Sequence, residues 1–169
     1  MKKYYQLSGA ILLFFLSHFA YAHSLNASVG NSKSNTTATD VFIITCGSDD
    51  SGASDHLDVQ IKTISPKNTP SIPNYAKLNV QIIKDGILSS VETDPINGDK
   101  LYSPFASLVS GPVAYTVIVT KPLAIATTCD NSSVFAAAPN KAYPYTLQYH
   151  CKASNGNHTP TSVRPTVNQ

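Results

Sequence analysis

Hydrophobic and polar positions alternate with a period of two in several short runs of this chain. Leu57, Val59 and Ile61 alternate with Asp58, Gln60 and Lys62, and Leu78, Val80 and Ile82 alternate with Asn79, Gln81 and Ile83. Tyr115, Val117 and Val119 alternate with Thr116, Ile118 and Thr120, while Tyr145, Leu147, Tyr149 and Cys151 share one phase. Successive side chains of a strand point to opposite faces, so each run predicts a strand with one buried face. Residues 41–46 form a β-branched and aromatic run closed by Gly47, and residues 88–93 read as a short returning strand. Asp85-Gly86 stands where a two-residue hairpin needs residues that tolerate φ > 0. Residues 102–110 are irregular or weakly extended. Beyond residue 22 no stretch has convincing helical spacing. About seven short strands separated by turn signals predict an all-β fold, an antiparallel β-sandwich of jelly-roll or Ig-like type.

The ends follow other patterns. Met1-Lys2-Lys3 opens a short cationic segment, residues 10–16 are an unbroken apolar run, and Ala20-Tyr21-Ala22 is a small-x-small cleavage pattern. This order predicts a secretory signal over residues 1–22 and a mature chain starting at His23. The apolar run is far shorter than the about 20 residues that a membrane span needs. No second run of spanning length follows, so no membrane span is expected after cleavage. Residues 23–40 are rich in Ser, Asn and Thr and read as a flexible N-terminal arm. The sandwich domain is expected over 41–152, with a flexible polar tail over 153–169.

Composition narrows the function. The chain has 12 basic and 10 acidic residues, and loss of Lys2 and Lys3 with the signal leaves ten of each. A nucleic-acid binder shows a basic stripe, and none is visible. The expected localisation is secreted or periplasmic, where disulfides persist. Three cysteines are present: Cys46, Cys129 and Cys151. Cys46 shares a strand face with Phe42 and Ile44, and Cys151 shares one with Tyr145, Leu147 and Tyr149. Faces that line one core would let Cys46 and Cys151 meet, leaving Cys129 as the odd thiol. A Cys129–Cys151 pairing is the alternative.

Candidate chemistry is sparse. Asp50-Ser51-Gly52 matches the nucleophile segment of trypsin-like proteases, but a triad also needs an oriented His and Asp. In that family the His precedes the Ser, and in the mature chain only His23 does. Asp49, Asp50 and Asp55 could offer oxygens to Ca²⁺, as could Asp94, Asn97 and Asp99, yet neither set matches a defined loop. Turn chemistry accounts for the same residues. Mature His23 would carry a free amine beside its imidazole, a pair that chelates Cu(II). With a second ligand from His56, His150 or His158 it resembles the histidine brace of lytic polysaccharide monooxygenases and periplasmic copper carriers. Tyr115, Tyr145 and Tyr149 fall in the inward phase and read as core. Tyr102 and Tyr143 lie outside clear strands and are the candidate binding tyrosines.

Residues 41–46, the Asp94–Asp99 turn followed by Ser103-Pro104, Gly111 to Lys121 with Tyr-x-Val-x-Val, and Tyr145 to Cys151 ahead of His158-Thr159 form one pattern. It resembles small secreted β-sandwich domains of the bacterial pre-peptidase C-terminal type. The resemblance implies a non-catalytic accessory domain. The expectation is therefore a secreted, non-enzymatic module that binds a protein or glycan. The alternative is a copper-binding protein or copper enzyme that uses His23.

Overall fold

The computed structural model describes residues 23–30, 38–64, 77–96, 99–121 and 142–168. The expected signal, residues 1–22, and Cys129 lie outside the described residues. In chain order the strands are β1 (His23–Val29), β2 (Thr39–Cys46), β3 (Ser48–Asp49), β4 (Gly52–Ala53), β5 (His56–Thr63) and β6 (Asn79–Lys84). They continue with β7 (Ile87–Leu88), β8 (Glu92–Thr93), β9 (Ala106–Val109), β10 (Ala114–Thr120), β11 (Tyr143–Lys152) and β12 (Thr161–Val167). The short pieces β3, β4, β7 and β8 raise the total above the expected seven. No helix occurs among the described residues.

Alternation decides how these strands stack. One sheet runs β1-β11-β5-β9 and a second runs β12-β2-β10-β6-β7, with β8 also on β6. All pairings among the described strands are antiparallel. From the first sheet Leu57, Val59, Ile61, Ala106, Leu108, Tyr145, Leu147 and Tyr149 point inward. From the second, Phe42, Ile44, Val80, Ile82, Tyr115, Val117 and Val119 meet them in one buried cluster. The fold is thus an antiparallel β-sandwich, as the period-two runs predict. Complete burial of an aliphatic side chain of this size stabilises by about 1.5–3 kcal/mol, so the two inner faces hold the layers together.

Two links tie β2 to β11 across the layers. At one end the Tyr145 hydroxyl donates to Asp40 Oδ2 at 2.7 Å. At the other, Cys46 and Cys151 form a disulfide with Cα atoms 5.5 Å apart. Phase alone predicts this pair, and the layer geometry supplies the proximity. Burial, and then the Asp40 carboxylate beside it, push the Tyr145 phenol far up, so it stays a donor. Asp85 and Gly86 both have positive φ (50° and 80°) and close the β6–β7 hairpin as expected.

The two ends of the domain differ from the sequence reading. Residues 23–40 are not simply an arm. His23–Val29 pairs with β11 along its whole length, and Thr39 and Asp40 begin β2. Leu25 and Ala27 pack against the core and Val29 is buried. The alternation is present but weak, because only small or isolated apolar residues mark it. Residues 153–169 likewise include β12, which covers the outer edge of β2. Its Pro165 lacks an N–H, which an edge strand tolerates.

Side chains finish the edges that strands leave open. Beyond the end of β9, the Ile61 N–H of β5 donates to Ser103 Oγ at 3.0 Å. The Thr63 N–H of β5 donates to Asp94 Oδ2 at 2.6 Å. On β6, the Ile82 N–H donates to Ser89 Oγ at 2.9 Å. Asp94 is fully buried, so Asp94→Ala is expected to orphan the Thr63 N–H and to cost about 1–3 kcal/mol. Urea unfolding of the purified variant measures this, and an unchanged midpoint would refute it.

Candidate functional site

The outer face of the first sheet carries an unusual set of polar groups. Strand phase sends Leu57 and Val59 inward and so turns His56 and Asp58 outward from β5. Register places His150 opposite Asp58 and Lys152 opposite His56. On the other side of β5, Ser107 of β9 also stands opposite Asp58. Lys152 Nζ lies 2.7 Å from Asp58 Oδ2, and Ser107 Oγ donates to Asp58 Oδ1 at 2.5 Å. Burial works to raise the Asp58 carboxyl, but these two hydrogen bonds, together with the charges of Lys152 and His56, hold it below the ordinary carboxylate range. His56 Nδ1 lies 3.0 Å from Asp55 Oδ2, and its Nε2 lies 3.6 Å from Asp58 Oδ2. Lys152 Nζ also sits 5.4 Å from the centre of the Phe105 ring. Nucleophilic catalysis by Ser requires a base within reach of its hydroxyl. Here the Ser107 hydroxyl is engaged by a carboxylate already paired with lysine.

His150 continues this face towards the edge of the sheet. It is 6% exposed although it points away from the core. The ring of His158 covers it edge-on, with centroids 4.7 Å apart. His158 is held there because its backbone bridges Lys152 and the Thr159 N–H donates to the Cys151 carbonyl at 2.9 Å. Burial, followed by the neighbouring His158, pushes the His150 imidazole down to about 4. Burial, followed by Lys152, lowers His158 too. Both rings are therefore neutral near pH 7. His23 stacks on Tyr149 at 5.7 Å, one residue along β11 from His150. Nδ1 of His23 and Nδ1 of His150 are both buried without a hydrogen-bond partner.

The structure sorts the sequence candidates. Of the metal candidates, His150 meets the ring of His158, His23 stacks on Tyr149 in the inward phase of the strand, and His56 is engaged by Asp55 and Asp58. Among the described residues no three His, Cys, Asp or Glu side chains converge as a ready metal site. Tyr143 is corrected: it is 1% exposed and so is core, not a binding surface. Its place at the start of β11 puts it in the inward phase of Tyr145, and Lys121 Nζ sits 4.5 Å from the centre of its ring. Tyr102 is half-buried, with Lys62 Nζ 4.6 Å from its ring centre. Asp94 uses both carboxylate oxygens on backbone N–H groups, those of Thr63 and Ile96. Asp99 Oδ1 accepts from the Leu101 N–H at 2.9 Å, and Asn97 lies outside the described residues. Turn and edge chemistry thus accounts for Asp94 and Asp99.

A second surface has no counterpart in the sequence reading. β9 ends one sheet and β7 and β8 lie at the margin of the other, and β9 touches β6 across the layers. The two margins therefore form one side of the sandwich. Among the described residues, most of the exposed large hydrophobic side chains fall in this stretch: Ile87, Leu88, Val91, Ile96, Leu101, Phe105 and Val109. Leu101 and Val109 are the most exposed, at 63% and 68%. Within these short elements the residues look like ordinary strand or loop positions, so periodicity offers no hint that they share a margin.

No family model, curated protein or solved structure matches this chain.

Proposed function

We propose that this chain is a secreted, non-catalytic binding module that docks a protein partner on the apolar margin formed by residues 87–109. The observation that carries this reading is the concentration of exposed aliphatic side chains there. Contiguous exposed apolar surface is uncommon on a monomer and marks interaction sites. The margin is aliphatic apart from Phe105, which suits a protein surface better than the aromatic platforms that stack on sugars. The leader-like first 22 residues and the buried disulfide, which suits an oxidising compartment, support secretion. The pre-peptidase C-terminal resemblance also implies a non-catalytic role.

A photoreactive amino acid placed at Leu101 tests this in the cells that make the protein. A discrete cross-linked adduct is expected from position 101 and not from exposed Asn155. Val109→Asp in the same protein is expected to weaken the interaction at least about tenfold, as for loss of a central interface anchor. Equal labelling from both positions, or an adduct indifferent to Val109→Asp, would refute the margin as the docking surface.

A further inference from the structure

The first sheet ends at β9, and β9 touches β6 across the layers. The second sheet goes on past β6 to β7 and β8. Among the described strands the second sheet is therefore one strand wider on this side. Ile87 shows the consequence. It stands opposite Lys84, two residues beyond buried Ile82, and so has the inward phase of the second sheet. Yet it is 59% exposed, as expected where the first sheet has no described strand to cover it. Glu92 stands opposite buried Val80, shares that inward phase, and makes no ion pair among the described residues.

The outer edge of β9 is open for pairing. The Ile61 N–H donates to Ser103 Oγ, and the Ser103 N–H donates to the Ile61 carbonyl, so Ile61 turns its backbone groups to the β9 side of β5. Backbone direction alternates along a strand, so Val59 and Leu57 turn the same way, towards Ala106 and Leu108. The Ser110 N–H continues the series by donating to the Asp55 carbonyl at 3.1 Å. The intervening Ser107 and Val109 therefore turn their N–H and C=O groups away from β5, where no backbone partner meets them among the described residues. β9 also has none of the devices that discourage pairing: no proline, no charged residue and no register shift. β12, at the far side of the second sheet, has Arg164, Pro165 and a register shift. β1 ends the first sheet too, but its exposed side chains are Ser24 and Asn26, which give no apolar anchor.

We propose that the protein partner contributes one extended segment that pairs with the outer edge of β9 and continues the first sheet over β7 and β8. The inference rests on the docking reading above and names the form of its partner. Such a strand exchanges hydrogen bonds with Ser107 and Val109, and its alternate side chains supply specificity. Its outward side chains lie beside Phe105 and Val109, and its inward ones cover Ile87 and face Glu92. The segment is therefore aliphatic at alternate positions, with a basic residue on its inward face opposite Glu92. A second copy of this chain does not fit. Its β9 would bring its own β6 and β7 into the space where the first copy's β7 and β8 already lie. A single strand has no second layer and meets no such obstacle.

A photoreactive amino acid at Phe105, and separately at Val109, tests this in the cells that make the protein. Mass spectrometry of each adduct locates the linked residue of the partner. Strand addition places the two links on one partner segment, about four residues apart, because paired strands advance in step. Two variants probe the bonding through the adduct formed from position 101. Ser107→Pro removes the outward N–H, while Ser107→Ala removes only the hydroxyl that binds Asp58. The adduct is expected to fall about 3–10-fold in the proline variant relative to the alanine variant, as for loss of one hydrogen bond. Glu92→Lys is expected to lower it about threefold or more. Circular dichroism checks that each variant folds, and the spacing of the links keeps the test open if Ser107→Pro does not. With position 101 still labelled, links on separate partner segments, a link to this chain's own residues, or an adduct undiminished in both folded variants would overturn strand addition and leave the docking reading standing. Loss of every adduct, that from position 101 included, would overturn both.

Discussion

Replacing Cys46 and Cys151 together by Ala is expected to lower the unfolding free energy by about 4–5 kcal/mol. The bridge joins residues 105 positions apart, and in the chain-entropy model a crosslink closing about 100 residues restrains the unfolded chain by that amount. Both cysteines are also buried, so the lost sulfur contacts add to the effect. Domains of this size are commonly stable by only about 5–15 kcal/mol, so this one bond is a large share. The double variant is the right comparison, because a single replacement leaves a thiol that Cys129 can capture. Guanidinium unfolding of wild type and double variant reads the difference. A shift below about 1 kcal/mol would mean that the layers are held by their apolar faces and the Tyr145–Asp40 link alone.

Acid should weaken the fold through His150 before it affects the carboxylates. The ordinary imidazole value is 6.5, and in the folded protein burial beneath His158 brings it down to about 4. The unfolded chain therefore takes up the proton more readily, and protonation favours unfolding. Stability is complete above about pH 6.5 and falls as the pH drops towards 4, by about 3 kcal/mol at 1.36 kcal/mol for each pH unit. His158 shifts in the same direction and adds to the slope. Asp58 has the same sense in a lower window: its lowered value contributes stability that is lost only as the pH falls below the ordinary 3.8. Urea midpoints in EDTA at about pH 7.5, 5.5 and 4.5 should fall steadily in wild type and much less in His150→Leu. A flat profile in wild type, or the same slope in both proteins, would rule out His150 as the source.

Legibility in the sequence follows the strength of the local signal. β5, β6, β10 and β11 are central or well-packed strands, and their inward residues are large and alternate cleanly. β1 and β12 lie at sheet edges, where one flank faces solvent and small or polar residues suffice. Their pairing depends on β11 and β2, which no local window contains. The candidate site divides in the same way. His23 and His150 are recognisable as candidate ligands by residue type, but nothing in the sequence singles out His158 from His56. Asp58, Ser107 and Lys152 pass as ordinary outward residues of amphipathic strands. Pro144 obscures the start of β11, and Tyr143 therefore reads as a loop residue until the strand is seen whole.

By itself the sequence determined the all-β class, the inward phase of each long strand, the Asp85-Gly86 hairpin and the pairing preference of Cys46 for Cys151. These follow from period-two burial and turn stereochemistry, which act over a few residues. Only the tertiary structure decided that residues 23–29 and 161–167 are strands and that Tyr143 is core. It also decided that His150 lies beneath the ring of His158 and that exposed apolar residues gather on β7, β8, β9 and the segments between them. Those outcomes depend on which strands become neighbours across and within the sheets, a choice made by the packing of the whole core.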